Sequence, residues 1–125
     1  MAKLTTFEQV RTGIATYGDL AAVITVGDDG RPHVSSSRVV VGDDRLIAEV
    51  GARSRGFLEQ RPQMTLVWHP NAGDEYQLII DGTAASFGDP SDDGVSTVSI
   101  DVDGGIQHRL AGLDGDAPTC RPVDA

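Results

Sequence analysis

Apolar and polar positions along the chain follow a helical spacing at first and then switch to short, β-rich runs. Phe7, Val10 and Ile14 share one face of a helix that Thr5 or Thr6 caps, with Glu8 or Gln9 completing a capping box and Gly18-Asp19 ending it. From Leu20 onward turn residues recur at close spacing, the pattern of an antiparallel sandwich or barrel. Strands are predicted at residues 21–26, 33–41 and 45–50, joined through Gly27-Asp28-Asp29-Gly30 and Gly42-Asp43-Asp44 into a meander. Ala52 to Gly56 reads as a loop leading into a short helix that Pro62 terminates.

Further strands are expected at 64–69, at 75–87 with Gly82 as a bulge or bend, and at 95–102 after the acidic loop 88–94. Asp103-Gly104-Gly105 is expected to fold the chain back into a brief strand at 106–110, leaving residues 111–125 as an exposed tail. Residues 1–110 then form the domain. Six or so strands must hide their edges, and closing the sheet into a barrel does so with few residues.

Length and composition narrow the function classes. A chain of 125 residues with 39% apolar residues fits one stable domain. It has no run of the roughly 18 apolar residues that a spanning helix requires, and MAKLTTFEQV has no apolar block behind its lysine, so neither membrane insertion nor export is expected. The lone Cys120 has no internal disulfide partner, which points to a reducing, cytoplasmic setting. Residues 1–70 hold eight basic and eight acidic side chains, whereas residues 71–125 hold two basic and eleven acidic. The second half would repel a phosphate polymer, which argues against nucleic acid as a partner, and any anion site must draw on the first half.

Two stretches carry candidate chemistry. Ser35, Ser36 and Ser37, followed by Arg38, put hydroxyls on both faces of the second strand, so something polar should lie against them. That strand suits a ligand, and equally a solvent-facing edge with small residues for close packing. Arg53-Ser54-Arg55 at a helix start offers free amides, a hydroxyl and two guanidinium groups, a phosphate-sized anion site. Its plainer reading is a solvated basic turn with Ser54 capping the helix.

Other chemistries lack their residues. His33, His69 and His108 have no metal-ligand spacing, and no nucleophile elbow, Walker or dinucleotide glycine motif is present. The acidic loop Asp89 to Asp93 lacks the spaced ligands of an EF-hand.

The ordered set Ala22-Val23-Ile24-Thr25-Val26, Asp28-Asp29-Gly30-Arg31-Pro32-His33-Val34, Arg45-Leu46-Ile47-Ala48, Ser54-Arg55, Phe57-Leu58 and Arg61-Pro62 resembles the pyridoxamine 5′-phosphate oxidase-like flavin-binding split barrels. The resemblance covers about residues 18–87. It implies a mainly β fold, a six-stranded antiparallel split β-barrel with Greek-key connections and two short helices. It also implies a homodimer, with flavin mononucleotide (FMN) or the deazaflavin F420 in a groove between subunits, haem in some relatives, and hydride transfer to or from a small-molecule substrate.

By the same resemblance, Ser35, Ser36, Ser37 and Arg38 would run beside the ring system and Arg53, Ser54 and Arg55 would grip phosphate. Trp68 and Gln77 would line the groove from the partner subunit, although core or dimer packing is the plainer reading of Trp68. No side chain would act as a catalytic nucleophile. Arg55 stands where relatives commonly carry lysine, and Ser36, Ser37 and Arg38 replace their proline and aromatic residues. A non-catalytic flavin- or haem-holding module and a cofactor-free homodimeric barrel remain alternatives. Ser54 and Ser36 on opposite sides of the molecule, with no shared cavity, would sink the ligand reading.

Overall fold

The computed structural model describes residues 5–125. Helix α1 spans Phe7–Tyr17, and of the expected capping alternatives it uses Thr6 with Gln9: the Gln9 N–H donates to Thr6 Oγ1 while the Thr6 N–H donates to Gln9 Oε1. Gly18, at φ 92°, ends it in the left-handed region that a side chain would disfavour. Val10, Ile14 and Tyr17 supply its buried face.

Eight strands follow, all antiparallel: β1 (Leu20–Val26), β2 (Pro32–Arg38), β3 (Val40–Val41), β4 (Leu46–Val50), β5 (Gln63–Trp68), β6 (Tyr76–Phe87), β7 (Ser96–Arg109) and β8 (Cys120–Arg121). Helix α2 (Ala52–Gln60) lies between β4 and β5. The sheet runs β2-β1-β5-β6-β7-β4-β3, with β8 paired to β7. It curls until its two ends meet. There β2 and β4 share no ladder, and the Glu49 N–H instead donates to the Ser37 hydroxyl oxygen over 2.8 Å.

Alternation along the strands fills the interior. Ala21 and Val23, Leu46, Ala48 and Val50, Leu66 and Trp68, Leu78 and Ile80, and Val98 and Ile100 are all buried in one cluster. Each large aliphatic side chain buried this way contributes about 1.5–3 kcal/mol. Trp68 belongs to this core, its indole N–H donating to the Gly18 carbonyl (3.0 Å).

The strands and the C-terminal segment depart from the sequence expectation in three places. The predicted strand 33–41 is broken at Val39, whose side chain is buried and whose N–H donates to the Asp19 carbonyl (2.6 Å). Asp103-Gly104-Gly105 does not turn the chain back, so the two predicted strands are one, β7. Gly104 and Gly105 pair with Asp81 and Ile80, and Asp103 is bulged out of the ladder. A Cβ on Gly105 would lie 2.6 Å from Ile80 Cδ1 and 2.8 Å from Val123 Cγ1, so the glycine serves close approach instead of a turn.

The segment beyond residue 110 is exposed as far as Cys120 and then returns. Arg121 Nε donates to Gln107 Oε1 (2.7 Å), Gln107 Nε2 donates to the Val123 carbonyl (2.9 Å), and Val123 is buried. The Val123 carbonyl sits so close to α1 that a Cβ on Gly13 would come within 2.4 Å of it.

Candidate functional site

Where the curled sheet meets itself, an open groove of about 600 Å³ runs along β2 and β4. Ser35, Ser36, Ser37 and Arg38 line one side, and Ile47, Glu49 and Gly51 are among the residues of the other. Leu20, Val40, Val95 and Thr97 complete it. Pairing explains the second wall: Ile47 stands opposite Val40, and Glu49 opposite Thr97, so each pair projects to a common face. The outcome is an apolar surface edged by hydroxyls, with one cation and one carboxylate.

The three serines differ in role. Ser37 is buried and fixed, accepting from Glu49 and donating to the Arg38 carbonyl (2.9 Å). Ser35 and Ser36 line the groove with hydroxyls that make no hydrogen bond among the described residues. Arg38 pairs with Asp19 (3.0 Å), both side chains being well exposed, and such a pair is worth at most about 1 kcal/mol. A ligand anion could displace it. Glu49 is the residue that sequence reasoning missed. Its carboxylate lines the groove with no ion pair or hydrogen bond among the described residues. The signal was present as the one charge in the run Leu46–Val50, on its outward alternation.

The cationic run after β4 lies elsewhere. It belongs to the first turn of α2, where the sequence had predicted a loop, with Gly51 as N-cap. Ser54 is buried and does not share the groove with Ser36, so the expected phosphate loop of Arg53, Ser54 and Arg55 is not brought to the serine strand; Gly51 is the part of this region that lines the groove. Arg55 turns toward the β6–β7 connection, donating to the Gly88 carbonyl (2.8 Å) and Ser96 Oγ (2.9 Å) beside the Phe87 ring. Arg53 stacks over Phe57 in a separate depression with Asp28 and Asp29. Arg61 donates to the Val26 carbonyl and Asp28, tying the end of α2 to the first hairpin. Arg55 and Arg61 thus tie the two ends of α2 to the β6–β7 connection and to the first hairpin.

Trp68 is in the core, and Gln77 stands half-buried on β6 opposite His108; neither lines the groove. Gln77 does share an outward face with other residues of interest. Directly paired positions place Ser36, Ala22, Val67, Ile79 and Ile106 in one row across β2, β1, β5, β6 and β7, on the side away from the core. Ile24 and Val34 stand opposite each other in the next row. An antiparallel sheet face open to water is normally polar; here the row from Ala22 to Ile106 is apolar, Thr65 and Asp81 continue the row of Ile24, and the face borders the groove at Ser36 and Leu20.

No family model matches the chain. It is 30% identical over 123 residues to the uncharacterized protein Mb0449c of Mycobacterium bovis, spanning 90% of this chain and 86% of the relative. Among solved structures, a heme binding protein from Mycobacterium smegmatis superposes with TM-score 0.65 at 16% identity, over 99% of this chain and 60% of that one. A Clostridium acetobutylicum protein of the pyridoxinephosphate oxidase family gives 0.64 at 13% identity, over 82% and 87%. An F420 reductase gives 0.60 at 11%, over 70% and 88%. The chain belongs to the family of the mycobacterial relative, and its fold is the pyridoxamine 5′-phosphate oxidase-like split barrel. In this split barrel the strand count is eight where the sequence reading had six, because of the break at Val39 and the return of β8.

Proposed function

We propose that the protein is a homodimeric oxidoreductase that holds FMN or F420 in the β2–β4 groove and exchanges a hydride with a small organic substrate. One observation carries this reading: the groove borders the outer face that carries the apolar row Ala22, Val67, Ile79 and Ile106, so a second copy seated on that row would wall it. A planar ring would lie against Val40, Ile47 and Val95, with Ser36 at its polar edge and Arg38 placed for an anionic tail. The bound cofactor supplies the hydride chemistry; the protein binds and orients it and excludes water. Fold likeness to an F420 reductase and to a pyridoxinephosphate oxidase family protein supports the cofactor class.

Haem is the weaker alternative. Iron requires an axial nitrogen, sulfur or phenolate ligand, and the residues lining the groove include no histidine, cysteine, methionine or tyrosine. His33 packs its ring edge-on against Phe57 instead, with centroids 5.7 Å apart.

The visible spectrum of the purified protein, before and after reconstitution with FMN, F420 or haem, tests the proposal. The expected result is a bound flavin or deazaflavin whose absorbance bleaches on reduction. A Soret band would favour the haem-holding alternative, and a preparation that binds none of the three would leave a structural barrel.

A further inference from the structure

We infer that Glu49 is a specificity-determining residue: its carboxylate selects a planar ligand that presents a ring N–H donor to the groove. The inference rests on the cofactor reading above and names which edge of the ring the groove recognises.

The physical argument begins with desolvation. Glu49 lines the groove beside Ile47, Val50 and Val95, and among the described residues nothing donates to its side chain. Water satisfies the carboxylate while the groove is open. A flat ligand covering these apolar neighbours displaces that water, and an ionised carboxylate left without a donor in such a place is costly. Binding therefore favours a ligand that brings its own donor.

Rigid placement makes the selection directional. The Glu49 N–H is held by Ser37 Oγ (2.8 Å), and the strand around it pairs with β7 from Leu46 through Val50. The carboxylate thus projects from a backbone fixed on both sides, next to Thr97. Across the groove Ser36, on the outward alternation that Glu49 also takes, carries a free hydroxyl, whereas Ser35 shares the face of Ser37. The Glu49 carboxylate on one wall and the Ser36 hydroxyl on the other complement a cyclic imide, whose N–H donates and whose neighbouring carbonyl accepts. Arg38 does not compensate Glu49, because its guanidinium is with Asp19.

The experiment compares whichever of FMN and F420 the protein binds with the same cofactor methylated at the imide nitrogen of its ring. Wild type should prefer the unmethylated form by about tenfold or more, as sites built around a hydrogen bond do. Glu49→Ala should bring the ratio close to one, whereas Glu49→Gln, which keeps an acceptor without the charge, should retain much of the preference. Glu49 is exposed and its backbone bond survives all three side chains, so the variants should fold.

Equal affinity of wild type for the two forms would overturn the inference while leaving the cofactor reading intact. So would a Glu49→Ala protein that keeps the preference but loses its dimer, since the carboxylate would then be paired by the second copy. A protein that binds neither FMN nor F420 would overturn both.

Discussion

The amide of Glu49 donates to the hydroxyl oxygen of Ser37 across the seam between β2 and β4. A side chain thus closes the barrel where no strand ladder does, and the same seam floors the groove. Ser37→Ala should cost about 1–2 kcal/mol, because the Glu49 N–H loses its acceptor next to a buried position. Denaturant titration measures the loss. Faster hydrogen exchange confined to the Glu49 amide and its neighbours would locate it, and unchanged exchange there would show that the seam is held by other contacts.

Two arginines close in sequence reasoning part company in the structure, and their variants should do so as well. Arg38→Ala should weaken FMN by about tenfold while leaving riboflavin, which has no phosphate, unaffected. Arg55→Ala should instead cost about 1.5–3 kcal/mol of stability by removing the charged donor from the Gly88 carbonyl and Ser96. At a temperature where that variant remains folded, its cofactor affinity should equal that of wild type. A large loss of FMN affinity in folded Arg55→Ala would place the anion site at α2 after all.

Val67 stands at the middle of the apolar outer row, between Ala22 and Ile79. Val67→Lys puts a charge where the second copy is proposed to pack, at a cost of several kcal/mol unless the charge finds a partner. Light scattering should report a dimer for wild type and a monomer for the variant, with the cofactor bound more weakly by the monomer. A wild-type monomer would remove the proposed second wall of the groove.

The Tyr17 hydroxyl lies 2.9 Å from the Tyr76 carbonyl and 3.0 Å from Gln107 Oε1. Burial pushes its pKa above the ordinary tyrosine value, partly countered by the hydrogen bond and charge of Arg121. Folding therefore favours the protonated hydroxyl. Its contribution is complete below about pH 10, the usual tyrosine range, and is lost as pH rises through the raised value. Stability followed by denaturant titration should fall more steeply above that range in wild type than in Tyr17→Phe; parallel curves would exclude Tyr17 as the group responsible.

Local signals were legible where local chemistry decides. Thr6 with Gln9 marked the start of α1, and Gly27 to Gly30 marked the first hairpin. The serine run was also legible as a polar strand needing company, and it does line the groove. What could not be read was anything set by distant residues. Gly104-Gly105 has the composition of a turn, and only the nearness of Ile80 and Val123 makes it a strand interior. Arg53 and Arg55 look like free cations until Phe57, Gly88 and Ser96 are brought to them. Glu49 looks like any strand carboxylate until β7 and β2 arrive on either side.

The docking of Val123 against Gly13 bears on how the molecule assembles. Tyr17 meets Gln107 across 90 residues of chain, and Gln107 in turn needs the carbonyl of Val123. On a ribosome, the β1–β2 hairpin can pair soon after it emerges, but the seat of the first helix stays unfinished until residue 123 is out. Such late, non-local closure is slow and leaves apolar surface uncovered meanwhile. A nascent chain stalled before Cys120 should therefore be the species most in need of a chaperone.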